Sequence, residues 1–462
     1  MATAEFHTTT SVDKSHIQFF DYIRGVAALW VFACHCLGYS FWHCELNWKG
    51  WFRDFDTGRV YLGLLPITFG WVAIPIFFVI SGFCIHLSYQ RTKYKSWIDY
   101  ALRRFFRIYP AYVIALLIYA FLNPLHPLHW NSRGDLANVA AHFLLIHNLF
   151  ESPIFHGFNP SFWSIAVEFQ LYLLYPFVLV FARKLGWKKT LWITGIVEIG
   201  MRATAAIWCL NHEAGLPRWF TGSPFIFWFS WSIGAAIAES FLTGKKLPFK
   251  GKQVFLWPAL MIATYFFKPS YPFSVLFASL SAASVIVACL QRYQERPSLP
   301  HFLRGGRVWK YFSALGIISY SFYLIHQPVI EIAGVLLKKL SPSGDVHPVL
   351  LYVMFLPLLL PIILVARWLY RFAELPGIEL GKWAIKQLRI RVPEVRGWFR
   401  GAPAESVMVE GVNQRPYQAD TNRASNAASS TALHGPMGAI RLGIGAPASQ
   451  AKLSETVAPL SE

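Results

Sequence analysis

The chain has 462 residues, of which 55% are hydrophobic and only 14% are charged, and its mean hydropathy is +0.39. Soluble domains carry about 25% charged residues, so this composition excludes an ordinary soluble enzyme and indicates an integral membrane protein. The formal net charge is +18. Its Lys and Arg residues lie in short loops between apolar runs, so the charge indicates membrane orientation rather than binding to nucleic acid.

Ten apolar runs are long enough, or nearly so, to cross a bilayer, which takes about 20 helical residues. They lie near residues 18–41, 67–90, 105–122, 161–182, 190–210, 222–242, 253–269, 271–290, 311–337 and 348–370. A further apolar run, 136–150, is too short to cross. Basic loops follow the second, fourth, sixth, eighth and tenth runs, so all five lie on one side. The pattern predicts an all-α integral membrane protein, a bundle of about ten transmembrane helices with both termini cytoplasmic.

The chain divides by composition into three regions. Residues 1–16 form a polar N-terminal segment, 17–391 the transmembrane domain, and 392–462 an Ala-, Ser- and Gly-rich stretch that is predicted to be a disordered cytoplasmic tail. The six cysteines form no CxxC or Cys/His pattern with zinc spacing. The sequence therefore predicts neither a metal site nor a disulfide framework.

The first apolar run carries two ionisable residues, Arg24 and His35. They are eleven positions apart, which is about three helical turns, so both side chains fall on nearly the same face about 16 Å apart. Ionisable groups inside a bilayer usually face the protein interior or a wet cavity. We therefore expect this pair to be functional.

A second basic pair, Arg104 and Arg107, precedes the third run. The two are three positions apart and face the same way on a helix. With Arg24 on the same side of the membrane, they can form a cationic cluster for a phosphorylated ligand, because guanidinium groups bind phosphate through two hydrogen bonds. Plain anchoring by positive charge at the membrane surface is the alternative. In the second run, Ser81 and Gly82 predict close helix packing rather than a nucleophilic serine.

Two further ionisable residues lie in distant runs at the predicted depth of His35. Glu168 lies about 10 Å below the outer surface in the fourth run, and His326 reaches a comparable level in the ninth. A carboxylate beside an imidazole suits general base catalysis, since the carboxylate stabilises the protonated ring. The alternative is that each group only satisfies a neighbouring helix, and His326 in particular can cap a kink at Pro328.

Five motifs in one order resemble the membrane-bound acyltransferase-3 family, whose members O-acylate sugars, polysaccharides and some antibiotics. The resemblance covers most of residues 17–375. Its motifs are DYIR at 21–24 with His35, FFVISGF at 77–83, RFFRIYP at 104–110, FWSIAVEFQLY at 162–172, and LGIISYSFYLIHQP at 315–328. One departure is visible: where relatives often carry two adjacent carboxylates, this chain has Glu168 followed by Phe169.

The resemblance implies an O-acyltransferase that takes an acyl group, mostly acetyl, from acetyl-CoA or another acyl-CoA on the cytoplasmic side. The acceptor is a hydroxyl of a carbohydrate, glycolipid or similar molecule near the outer side. Arg24, Arg104 and Arg107 are then expected to bind the donor, and His35 and Glu168 to carry out catalysis. No metal is implied.

Two residues are predicted to contact the substrate, Trp163 by stacking on a sugar face and His326 directly. Anchoring at the membrane interface is the alternative for Trp163. Two rival functions stay open at this point. One is a transporter or flippase that uses His35 and Glu168 as a proton relay, and the other is a non-catalytic scaffold that presents its tail to a partner. The predicted location is the plasma membrane.

Overall fold

The computed structural model describes residues 10–41, 46–54, 59–92, 96–122, 132–212, 215–246, 253–295, 306–340 and 348–391. All of these lie within one compact unit, Met1–Ala404, and most are helical. The predicted cytoplasmic tail, 392–462, lies outside the described residues, as do residues 1–9 of the predicted N-terminal segment.

The helices of the described ranges, in chain order, are α1 (Thr10–Phe41), α2 (Arg59–Thr68), α3 (Ala73–Arg91), α4 (Trp97–Leu122), α5 (Arg133–Phe143), α6 (Phe162–Asn211), α7 (Arg218–Thr221), α8 (Trp228–Thr243), α9 (Gln253–Tyr265), α10 (Tyr271–Glu295), α11 (Arg307–Ile317), α12 (Ser319–Leu340), α13 (Pro348–Phe355), α14 (Leu359–Leu369) and α15 (Leu375–Arg391). A π-helical turn, Tyr370–Glu374, joins α14 to α15.

Eight helical stretches of the described residues are long and apolar enough to cross a membrane. They are Phe19–Gly38, Leu64–Arg91, Trp97–Phe121, Phe162–Asn211, Arg218–Leu242, Lys268–Arg292, Ser319–Leu337 and Val349–Leu388. The prediction of a helical membrane protein is therefore confirmed. The number of crossings and the side of the termini stay predictions.

Several predicted spans differ in detail from the observed helices; for example, the predicted span 311–337 is divided between α11 and α12. The predicted spans 161–182 and 190–210 form one 50-residue helix, α6, which Gly186 interrupts with φ +80° and ψ 158°. At 1.5 Å per residue α6 would be about 75 Å long, more than twice the hydrocarbon thickness, so Gly186 marks the point where two segments meet. The predicted span 253–269 is reduced to α9, whose 13 residues extend only about 20 Å.

The prediction of close helix contact at Gly82 is confirmed. A side chain at Gly82 in α3 would collide with the backbone carbonyl of Trp231 in α8, and one at Gly234 in α8 would collide with that of Val79. Small residues let two helix backbones approach inside a membrane. Helices α3 and α8 therefore pack with their backbones in close contact.

Helices α1 and α11 approach each other in the same way. A side chain at Gly25 would collide with the carbonyl of Phe312, and one at Gly316 with the backbone of Asp21. The contact fixes the part of α1 that carries Arg24.

A small hairpin departs from the all-α prediction. The strands β1 (Trp48–Lys49) and β2 (Phe52–Arg53) pair antiparallel after α1. The guanidinium of Arg53 lies 3.8 Å from the centroid of the Trp48 ring and 4.3 Å from that of Tyr265, which ties the hairpin to α9. Strands of two residues leave no alternating pattern for the sequence to show.

Only the first part of the run 136–150 is α-helical, within the short helix α5 (Arg133–Phe143), whose 11 residues extend about 17 Å. The imidazole of His142, in the last turn of α5, stacks on that of His147 just beyond the helix, with their ring centroids 3.8 Å apart. Both rings are buried, and burial lowers the pKa of His142 to about 4. The pair is therefore neutral at neutral pH and packs as an aromatic stack.

A buried ion pair connects three parts of the bundle. In α6, Glu198 and Arg202 are one turn apart, 2.9 Å from oxygen to nitrogen, and their side chains are 0% and 3% exposed. Arg202 also donates to the carbonyl oxygens of Ile226 and Pro272, and Glu198 accepts from the backbone N–H and hydroxyl of Ser230. The pair therefore joins α6 to the start of α8 and to α10.

Replacing Glu198 with alanine is expected to destabilise the protein by about 3–5 kcal/mol, because it leaves the Arg202 charge buried and unpaired. Thermal unfolding in detergent micelles should show a clearly lowered Tm. The matched control is Lys382→Ala, which breaks an ion pair to Glu379 whose side chains are 65% and 67% exposed. An equal Tm for both variants would contradict this role for Glu198.

Candidate active site

A cavity of about 350 Å³ opens among α1, α3, α4, α6 and α12. Its wall carries all three of the arginines predicted to bind a donor, Arg24, Arg104 and Arg107, together with Glu168. Other polar side chains on its wall are Asp21, Ser81, Ser164, Tyr172, Ser319, Tyr320, Tyr323 and Tyr370. Residues that are far apart in the sequence thus meet around one polar space inside a membrane bundle.

Arg24 extends from α1 into this cavity. One of its nitrogens lies 3.5 Å from the carboxylate of Asp21, one turn earlier, and another lies 3.3 Å from the sulfur of Cys84 in α3. The side chain is 27% exposed, so its charge is partly balanced and remains accessible to a ligand.

Arg107 has a stronger partner, Glu374, which the sequence interpretation missed. The two form an ion pair in which Glu374 is 0% exposed, and Glu374 also accepts a hydrogen bond of 2.7 Å from the Ser321 hydroxyl. Glu374 ends the π-helical turn. A π-helical turn changes the direction of every following side chain, and sequence periodicity does not show it. The only available signal was a carboxylate within a mostly apolar run.

Arg104 is the arginine of the cavity wall that lacks a carboxylate partner in the described structure. One of its terminal nitrogens donates to the Ser88 hydroxyl at 3.2 Å, and its Nε is buried without a hydrogen-bond partner. A buried donor without a partner costs free energy unless a ligand satisfies it. Among the three arginines of the wall, Arg104 is therefore the one whose charge no carboxylate of the described residues balances.

Glu168 lies on the wall with the arginines. It accepts a hydrogen bond of 2.7 Å from the hydroxyl of Tyr172, one turn further along α6. Within the described residues no hydrogen bond joins Glu168 to His35. The expected contact between carboxylate and imidazole is therefore not made in this structure.

The two predicted histidines do meet. The rings of His35 in α1 and His326 in α12 are 5.1 Å apart between centroids, with their planes tilted by 51°. His326 is fully buried, whereas His35 is half-buried. The Nδ1 of His326 donates to the carbonyl oxygen of Tyr323 at 2.8 Å, since a carbonyl oxygen only accepts. The Nε2 of His326 then keeps its lone pair, and it has no partner in the described structure.

The backbone carbonyl that Pro328 leaves without a helical donor in α12 receives a hydrogen bond from a residue other than His326. A proline frees the carbonyl four residues earlier, which here belongs to Leu324. The side-chain amide of Asn159 donates to that carbonyl at 3.0 Å. The kink-capping alternative therefore does not account for the buried Nε2 of His326.

Tyr323 connects the cavity with the histidine pair. Its side chain lines the cavity, its ring centroid lies 5.2 Å from that of His326, and its hydroxyl lies 2.8 Å from the Ser164 hydroxyl. Neither His35 nor His326 is part of the cavity wall. Tyr323 is therefore the residue of the cavity wall whose ring contacts His326.

Trp163, at the start of α6, lies outside this cavity wall. Its ring packs near Phe227 and Phe155, with centroid distances of 6.2 and 6.5 Å. Among the described residues no cluster of three or more His, Cys, Asp or Glu side chains is arranged to hold a metal ion.

A family model described as an acyltransferase domain matches residues 17–368. The chain belongs to the acyltransferase-3 family. It is therefore an acyltransferase, and its apolar helices make it a multi-pass membrane protein. The match confirms the family resemblance of the five motifs and does not favour a transporter.

Three proteins with similar sequences are named as acyltransferases. Acyltransferase MdmB of Streptomyces mycarofaciens is 26% identical over 332 residues, covering 67% of this chain and 78% of the relative. YrhL of Bacillus subtilis (strain 168), provisionally named a peptidoglycan O-acetyltransferase, is 24% identical over 405 residues, 82% of this chain and 58% of the relative. The peptidoglycan O-acetyltransferase OatA of Listeria monocytogenes serovar 1/2a (strain ATCC BAA-679 / EGD-e) is 27% identical over 214 residues, 43% of this chain and 30% of the relative. No solved structure matches the chain.

Proposed function

We propose that this acyltransferase is an O-acyltransferase of the plasma membrane. It transfers an acyl group, acetyl above all, from cytoplasmic acyl-CoA to a hydroxyl of a carbohydrate or glycolipid. The observation that carries the proposal is a cavity with three guanidinium groups, one without a carboxylate partner, next to a pair of imidazoles. The names of YrhL and OatA support a carbohydrate acceptor.

The proposed topology has ten crossings with both termini cytoplasmic. It places Arg24, Arg104 and Arg107 toward the inner leaflet and the histidine pair toward the outer leaflet. The basic loops on one side of the predicted bundle support this orientation. The donor then approaches from inside and the acceptor from outside, so that transfer takes place within the membrane.

In this proposal the arginines bind the negatively charged part of acyl-CoA. Guanidinium groups bind phosphate oxygens through charge-assisted hydrogen bonds. A cavity of about 350 Å³ is at the lower end of the range for small-molecule sites. It suits the narrow pantetheine arm better than the whole donor, whose nucleotide would stay at the entrance.

The reaction then takes place past Tyr323. His35 accepts the proton of the acceptor hydroxyl while the oxygen of that hydroxyl bonds to the carbonyl carbon of the thioester. The carbon–sulfur bond breaks, and the thiolate of CoA leaves and takes the proton back from the imidazolium. A transient acyl group on the His35 ring is the alternative route. Glu168 orients His35 or the acceptor, and His326 and Trp163 contact the acceptor.

The test uses the purified full-length protein in liposomes with acetyl-CoA and a peptidoglycan fragment. The proposal expects free CoA thiol and an acetyl ester on the fragment in equal amounts, measured by thiol titration and mass spectrometry. A protein that carries the unmodified fragment across the liposome membrane and releases no thiol would be a transporter, which contradicts the proposal.

A further inference from the structure

A second cavity lies on the side of the bundle, between α1, α11 and the helices α14 and α15. Its volume is about 1040 Å³, against about 350 Å³ for the first. Most of its wall is apolar, with Leu29, Leu315 and Ile363 as examples. Ile317 and Tyr370 line both cavities, so the second one is a neighbour of the candidate active site.

Two arginines, Arg367 and Arg371, are part of the wall of this otherwise mostly apolar groove. Arg367 belongs to α14 and Arg371 to the π-helical turn that follows it, and both line the groove. Both are exposed, and neither has a hydrogen bond or an ion pair within the described part of the chain. Arg24 and Arg107 of the first cavity differ, since each has a carboxylate partner.

The position of the two arginines fits the surface of a leaflet. They lie in the helical stretch Val349–Leu388, whose 40 residues extend about 60 Å, twice the hydrocarbon thickness of a bilayer. The strongly apolar part of this stretch ends near residue 370. A cation there lies close to the level of lipid phosphates.

We propose that this groove is a binding site for an anionic diacyl phospholipid. The phosphate binds to Arg367 and Arg371, and an acyl chain lies along the apolar wall formed by Leu29, Leu315 and Ile363. An apolar groove whose wall also carries two arginines without a partner among the described residues is complementary to an anionic amphiphile. A free phosphate would gain nothing from the apolar wall, and the polar arm of acyl-CoA matches the first cavity better. The inference does not depend on the proposed reaction.

The experiment is native mass spectrometry of the full-length protein with phosphatidylglycerol and with phosphatidylcholine of the same chains. Wild type is expected to retain phosphatidylglycerol in preference. Replacing both arginines, Arg367→Gln with Arg371→Gln, should weaken that retention about thirtyfold, since each basic residue near a leaflet contributes about 1 kcal/mol. The matched control is Lys188→Gln with Lys189→Gln, two exposed lysines away from the groove, which should leave retention unchanged.

A second variant tests the apolar part of the site. Ala314 is exposed on the groove wall, so Ala314→Trp should fill the groove without disturbing the core. It is expected to reduce retention of both lipids at an unchanged Tm. Equal retention by wild type and the double arginine variant would overturn the proposal. Displacement of the lipid by inorganic phosphate, or by CoA, would also overturn it, because the groove would then be a simple anion site or part of the donor site.

Discussion

The His35→Ala variant is expected to lose acyl transfer, with kcat lowered by about 10²- to 10⁴-fold, the usual contribution of a general base. The half-buried ring of His35 meets His326 at 5.1 Å between centroids. The variant should still insert into the membrane, because alanine suits an apolar helix. Thiol release and ester formation in liposomes measure the loss.

A variant of the second histidine, His326, tests which ring acts as the base and which contacts the acceptor. If His326 contacts the acceptor, His326→Ala should raise the KM for the acceptor more than it lowers kcat. The matched control is His212→Ala, because His212 is exposed at the end of α6 and bonds only to the carbonyl of Trp208. Full activity of His35→Ala would remove His35 from the mechanism. Loss of kcat in His326→Ala alone would move the base to His326.

The parts of the site that can be predicted from the sequence are those that depend on the rise and spacing of residues within one helix. The rise per residue placed His35 and His326 at one depth, and the structure brings their rings together. Spacing and the side of the membrane placed Arg24 with Arg104 and Arg107, and all three line one cavity. Depth and side can be read from one chain because a membrane fixes the direction of every span.

Helix rotation and local irregularity cannot be read in that way. Glu168 was expected beside His35, yet its side chain lines the cavity with the arginines, where it accepts a hydrogen bond from Tyr172. Each residue turns a helix by about 100°, so a small error in rotation moves a side chain to another face. Glu374 reaches Arg107 only because a π-helical turn precedes α15. Both outcomes depend on contacts between helices that are distant in sequence, and a single sequence shows no such contacts.

The Arg104→Ala variant is expected to weaken CoA binding by about 10- to 100-fold, because a hydrogen bond to a charged group contributes about 1.5–3 kcal/mol. Its Nε lacks a partner in the described structure, so removal of the side chain leaves no protein group unsatisfied apart from the Ser88 hydroxyl. The Tm should therefore stay close to that of wild type, and acceptor binding should hardly change. Isothermal titration with CoA measures the effect.

Arg107→Ala is expected to lower the Tm as well as the affinity for CoA, unlike Arg104→Ala. The reason is that it leaves the buried carboxylate of Glu374 without its ion pair. The matched control is Arg103→Ala, because Arg103 is exposed beside Arg104 on α4 and is not part of the cavity wall. If Arg103 and Arg104 serve only as positive anchors at the membrane surface, their alanine variants will bind CoA equally well. A loss of CoA affinity in Arg104→Ala and not in Arg103→Ala would distinguish a donor site from an anchor. Adjacent arginines on one helix share the same charge and nearly the same depth, and they differ in the face of the helix that they occupy.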